Sequence, residues 1–199
     1  MTLSTTLNKI RACGPCGMDP REDPLTGFCK LRKFLGPDYG DDAPIPFAKI
    51  VESNGLDDAL WCCRSVAYDR ACRLLAVWFA RQVQDKMTDE RSLRALDVAQ
   101  AFAVGQATQE ELIEARASAV GASAVPPAAW AATWAVAVAG ATWAAAAAAA
   151  RAGARKDQKA ERAKQQAMFL RVVNCSTEDE AVALLLAEMP KSPLLKEGV

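Results

Sequence analysis

Apolar positions along this chain recur every three or four residues rather than every second one. Leu25, Phe28, Leu31 and Leu35 follow that spacing, and so do Tyr68, Ala71, Leu75, Trp78 and Phe79. Both sets predict helices with one buried face. Within the second, Asp69 and Arg73, then Arg81 and Asp85, stand four residues apart, spaced for ion pairs on a polar face. No segment alternates with a period of two. The pattern predicts an all-α protein: a multi-helix bundle with a long alanine-rich helix and a loop-rich N-terminal part.

Proline, glycine and capping residues set the expected boundaries. A short helix is predicted over Leu3 to Ala12, capped by Ser4 or Thr5 and broken by Gly14-Pro15, Gly17 and Pro20. Asp23 before Pro24 reads as the start of a helix that Gly36-Pro37 ends. Pro46 opens PFAKIVES, Asn54-Gly55 stops it, and LDDALWCCRSV reads as a further short helix. Thr88 or Asp89 caps a helix with Leu93, Leu96 and Phe102 inward and Gly105 at its end. Thr108 with Glu111 forms a capping box, and Ser176 or Thr177 caps a last helix that Pro190 ends. The expected division is 1–43, a loop-rich segment containing cysteines; 44–121, a helical core; 122–189, the alanine-rich, basic and final helices; and a tail over 190–199. Trp61, Trp78 and Phe79 are assigned to the core.

Composition narrows the chemistry. Lys+Arg and Asp+Glu are 24 each in 199 residues, so no global charge excess calls for nucleic acid. Histidine is absent, which removes the commonest general base and the commonest zinc ligand. A non-enzyme is expected. MTLSTTLNKI lacks a secretory pattern, and the 7 cysteines then imply a reducing cytoplasm with free thiols.

Cys13-Gly14-Pro15-Cys16 is the tetrad of thioredoxin-like redox sites. Such a site needs a strand before the first cysteine and a helix starting at it, because the helix dipole lowers the thiol pKa. A helical decamer precedes Cys13 and Gly17-Met18-Asp19-Pro20 follows Cys16, so neither support is expected. Cys13, Cys16 and Cys29 have the spacing of a structural zinc site that lacks one ligand, which Cys62, Cys63, Cys72 or an aspartate would have to supply. The preferred expectation is no cofactor: a tight turn at Cys13 and Cys16, and packed thiols elsewhere.

From Ala117 to Ala150 the chain carries no charged residue. Its apolarity is nearly all alanine, a strong helix former that inserts poorly into lipid, so a membrane span is disfavoured. Trp130 and Trp134 fall on one side of a helix there and Trp143 near the other, which suits a helix sandwiched between neighbours in its own chain, a partner copy or a bound partner. Arg151 and Arg155 border this stretch, and Trp130, Trp134, Trp143, Arg151 and Arg155 are the expected partner-binding residues. The RKDQKAERAKQQ helix reads as solvated, with pairs along its own face, rather than as a nucleic-acid surface.

PIPFAKIVESNGLDDALWCCRSV, the Ala80-Arg81-Gln82-Val83 stretch after Trp78, Asp89 through Leu96-Asp97-Val98-Ala99, and Gly105 with Glu110-Glu111-Leu112 together carry a resemblance. Over about residues 44–150 the chain resembles alanine-rich proteins encoded by bacteriophages and prophages, some of whose related domains carry the label of immunity proteins. That family's helix usually bears charges within its Ala/Trp units, and these are missing here between Ala117 and Ala150. The resemblance implies a phage accessory protein in the cytoplasm of a bacterial host that binds a bacterial protein and inhibits a defence complex, as anti-CRISPR proteins do. The alternatives are a toxin-neutralising protein, a structural helix protein that oligomerises, a zinc or thiol module, and a membrane-anchored protein.

Overall fold

The computed structural model describes residues 2–16, 27–87, 89–122, 155–190 and 192, with the side chains of 120–122 and 155–157 outside that description. These residues form a helical bundle, as the spacing predicts, together with one small antiparallel ladder. Strand β1 (Ser4–Thr5) pairs with β2 (Ile45–Pro46), Ser4 opposite Pro46 and Thr5 opposite Ile45. Just before it, the Leu3 amide donates to the Val173 carbonyl at 2.8 Å, and the Phe47 amide donates to the Leu3 carbonyl at 3.3 Å. The start of the chain is therefore threaded between distant segments. This shortens the predicted first helix: α1 runs over Leu7–Ala12, and Thr6 rather than Ser4 or Thr5 caps it, accepting from the Lys9 amide at 3.2 Å. Backbone pairing across the molecule outweighs the weak helix preference of Ser4 and Thr5.

Helix α2 (Gly27–Leu35) buries Phe28 and Leu31 and leaves Leu35 half-buried. Asp23, Pro24 and Leu25, predicted to begin it, lie outside the described residues. Asp41 holds α1 and α2 together, bridging Arg11 at 3.1 Å and Arg32 at 2.8 Å. Helices α3 (Phe47–Asn54) and α4 (Leu56–Cys62) meet at Gly55, whose φ of 91° lets the chain turn between them without strain. A 3-10 turn, Cys63–Ser65, then leads to the central helix α5 (Asp69–Arg81).

From Ala71 to Ala80 every residue of α5 except Arg73 is buried. Helix α6 (Glu90–Ala103) and helix α9 (Glu178–Ala187) pack on it most extensively, and α7 (Gln109–Ala122) packs on α6. Helix α8 (Arg155–Val173) crosses α3 and α5, with the Phe47 and Phe169 rings edge to face at 6.0 Å. Caps appear where local chemistry predicts them. Asp89 accepts from the Arg91 amide at 2.9 Å. Thr108 and Glu111 exchange bonds of 3.2 and 2.7 Å, and Thr177 accepts from the Glu180 amide at 3.2 Å.

A continuous core joins α1 to α9, so the N-terminal segment packs on the bundle through Leu7, Ile10, Phe28 and Leu31. Trp78 and Phe79 are in it, as assigned, while Trp61 is half-buried with the Arg64 guanidinium 4.4 Å above its ring. Leu96 is fully buried, whereas Leu93 and Phe102 are half-buried. Arg81 does not take the predicted partner Asp85. It turns inward and donates to Asp97 at 2.7 Å, Gln100 at 2.9 Å and Gln84 at 3.0 Å. A buried guanidinium requires a carboxylate that is also withdrawn from water, and Asp85 is exposed. Among the described residues no helix is long and apolar enough to cross a membrane.

Candidate functional site

The Cys13–Cys16 segment follows α1 as a turn, with Gly14 at a φ of 66°. Helix α1, not a strand, leads into Cys13, and among the described residues no helix starts at it. The Cys13 sulfur donates to the Arg64 carbonyl at 3.6 Å. The Cys16 side chain is exposed, and its carbonyl accepts the Phe28 amide at 3.0 Å. Cys29 sits half-buried in the first turns of α2. Among the described residues no three cysteine, aspartate or glutamate side chains are grouped so as to hold a metal, and that includes Cys13, Cys16 and Cys29.

Beside the tetrad the fold builds a mostly apolar pocket of about 60 Å³, walled by Ile10, Phe28, Leu31, Ile50 and Trp61, with Cys16 and Cys62 on its lining. Gly27 closes one edge: a Cβ there would lie 2.3 Å from the Cys16 carbonyl oxygen, so only glycine fits. Asn54 ties the surrounding helices together. Its amide donates to the Gly27 carbonyl at 2.8 Å and to Asp58 at 2.7 Å, and its oxygen accepts from the Ser53 hydroxyl at 2.6 Å. Asn54-Gly55 reads in the sequence only as a helix stop. The bridge across to Gly27 carries no local signal.

Within the pocket, Cys62 is held in its protonated form. Burial pushes the Cys62 thiol up to about 12, and the nearby Asp58 carboxylate and Cys13 push the same way against a smaller opposing effect of Arg64. Cys62 is therefore a neutral thiol at physiological pH, the weakly nucleophilic form. Cys63 is raised as well, first by its hydrogen bond with Cys72 and then by burial.

Two open grooves offer contact surface instead. One, of about 200 Å³ between α6 and α7, is lined by Arg91, Arg94, Glu111 and Glu114 above Val98 and Ala115. The other, of about 520 Å³, lies along α8 and is lined by Leu56, Arg162, Ala163, Gln166, Ala167 and Leu170. The outer side of α8 is low in relief there, since Ala160, Ala163 and Ala167 are exposed. The basic residues beside it are not paired only along their own helix. Arg162 reaches Asp57 on α4, and Lys164 reaches Gln82 while lying 5.5 Å from the Trp78 ring. These partners are distant in sequence, so the predicted solvated helix is in part tied to the bundle.

Of the expected partner-binding residues, Trp130, Trp134, Trp143 and Arg151 lie outside the described residues. Arg155 opens α8, and its side chain also lies outside them. What the structure describes is the pair of anchors for that stretch. Helix α7 runs into it at Ala122, and α8 leaves it at Arg155, on the same helix that carries the larger groove. No family model, curated protein or solved structure matches the chain.

Proposed function

We propose that this chain is a non-enzymatic accessory protein of phage or prophage type, which works by binding a bacterial protein and inhibiting a defence complex. One observation carries the proposal: from Ala117 to Ala150 there is no charge, and the stretch bears Trp130, Trp134 and Trp143, while the helices around it pack a continuous core of their own. Tryptophan supplies much of the binding energy at protein interfaces, and alanine allows close approach of another backbone.

The test is phage plating on bacterial strains that each carry one defined defence system, with the protein expressed or absent. Restored plating on one strain is expected, together with co-purification of a component of that same system. Replacing Trp130, Trp134 and Trp143 by alanine should abolish both while leaving the circular-dichroism spectrum helical. Unchanged plating across the whole panel would refute the proposal. Assembly into a homo-oligomer without effect on any strain would favour the structural alternative.

A further inference from the structure

Among the described residues two large apolar side chains stand well clear of the bundle, Phe34 at 46% exposure and Ile113 at 59%. Ile113 lies in the second turn of α7, off the side on which Leu112, Ala115 and Ala119 are buried. Positions three and four residues apart share a helix face. Glu110 and Ala117 therefore flank Ile113, with Glu114 at one edge of the face and Arg116 at the other, all of them exposed. The result is an apolar knob beside two carboxylates.

The groove along α8 has the opposite character. Leu56, Ala163, Ala167 and Leu170 form its apolar surface, and Arg162 and Gln166 border it. Lys159, one turn before Ala163, and Lys164, directly after it, are exposed. Lys164 bonds the neutral side chain of Gln82, which leaves its charge uncancelled, and the Trp78 ring 5.5 Å away holds the ammonium in place. Side chains at the contact set how closely two helices pack. Ala163 and Ala167 present only methyl groups, so the groove of about 520 Å³ has room for an isoleucine side chain from an incoming helix.

We infer that the Ile113 face of α7 in one copy of this chain docks into the α8 groove of a second copy, with Glu110 and Glu114 meeting Lys159 and Lys164. Charge selects this pairing. Packing α8 on a second α8 would bring lysines together, and packing α7 on a second α7 would bring glutamates together, and like charges across a contact oppose both. Each chain carries both surfaces, so a two-fold dimer makes the contact twice, and a ring makes it once per subunit. The contact is small and each chain has a continuous core of its own, so association is weak and rises with concentration. In dilute protein the groove is open. Trp130, Trp134 and Trp143 take no part, and the inference is independent of the binding proposal.

The experiment is sedimentation velocity of the full-length reduced protein over a wide concentration range, at low and high salt. Expected is a mass that rises from the monomer with concentration, less steeply at high salt because exposed charges are screened. Ile113→Asp removes the knob and Ala163→Glu fills the groove, so each variant alone should stay monomeric with an unchanged circular-dichroism spectrum. An equal mixture of the two should associate again, because one supplies an intact groove and the other an intact knob. Carbodiimide treatment of mixed isotope-labelled and unlabelled chains should join Glu110 or Glu114 of one chain to Lys159 or Lys164 of the other. Replacing Trp130, Trp134 and Trp143 by alanine should leave association unchanged. The inference is overturned by a monomer at every concentration, by assembly that survives Ile113→Asp and Ala163→Glu, or by a mixture that stays monomeric. It is equally overturned by assembly lost with the three tryptophans. Unfolding of the dilute monomer by Ala163→Glu would also overturn it, since the groove would then be covered from within the chain.

Discussion

Helices α5 and α8 cross in the same bundle and meet water in opposite ways. Between Ala71 and Ala80, α5 is covered on every side, and only Arg73 is part-exposed. Helix α8 buries one edge, through Gln165, Met168, Phe169, Val172 and Val173, and presents Ala160, Ala163, Lys164 and Ala167 to solvent. The difference follows from what each offers its neighbours. Helix α5 carries Leu74, Leu75, Val77, Trp78 and Phe79, enough apolar surface to hold α6, α8 and α9 around it. The outer side of α8 is mostly alanine and long polar side chains, which lose little by staying in water and present a surface of low relief. Charge is handled differently as well. Arg81, at the end of α5, is buried with Asp97, while Arg162 on α8 meets an Asp57 that is largely exposed.

If this contrast is right, the same kind of substitution has very different costs on the two helices. Phe79→Ala empties a fully buried site and should lower stability by about 3–5 kcal/mol, measured by urea unfolding. Arg81→Ala should cost about 3 kcal/mol, because it leaves the Asp97 carboxylate part-buried without its cation. A change below about 1 kcal/mol would mean that the pair behaves as a surface ion pair and that the end of α5 is wetter than described.

The next effect is in pH. The Cys62 thiol is raised from 9.0 to about 12, so between those values the folded state holds a proton that the unfolded state has lost. This contribution is complete below about pH 9 and is lost as pH rises toward 12, with a slope of at most about 1.4 kcal/mol per pH unit. Cys62→Ala should flatten part of the alkaline loss, and the raised Cys63 thiol should retain the rest. An unchanged alkaline profile would place Cys62 in contact with water. Glu178→Ala should then cost about 1–2 kcal/mol, because the Glu178 carboxylate caps α5 by accepting from the Arg70 and Ala71 amides at 2.8 and 3.1 Å. Smallest of all, Ala163→Glu on the open side of α8 should change stability by no more than about 0.5 kcal/mol. A loss comparable to that of Phe79→Ala would show that this side of α8 is covered in solution.

Much of the helical framework was legible because its signals are local. Asp89, the Thr108 and Glu111 box, Thr177 and Gly105 act on amides and carbonyls within a few residues of themselves, so a short window contains the whole interaction. Ser4 and Thr5 defeated that window, since their partners are Pro46 and Ile45. Around the tetrad, the turn at Cys13 and Cys16 could be read from Gly14-Pro15, but the Asn54 bridge to Gly27 and the pocket behind Cys16 could not. The stretch proposed to bind a partner lies outside the described residues, and only its composition marks it, through its missing charges and its tryptophans.

The sequence by itself determined that this chain is helical, where most helices start and stop, and which of its faces are apolar. Those properties depend on backbone propensity, caps and periodicity, all of which act over a few residues. Only the tertiary structure decided that Arg81 takes Asp97 instead of Asp85, that Glu178 caps a helix more than a hundred positions earlier in the chain, and that Asn54 reaches the Gly27 carbonyl. Each of these pairs a polar group with a partner that becomes its neighbour only when packing brings distant segments together. Burial decides which partner has to be found, and a linear pattern does not carry that information.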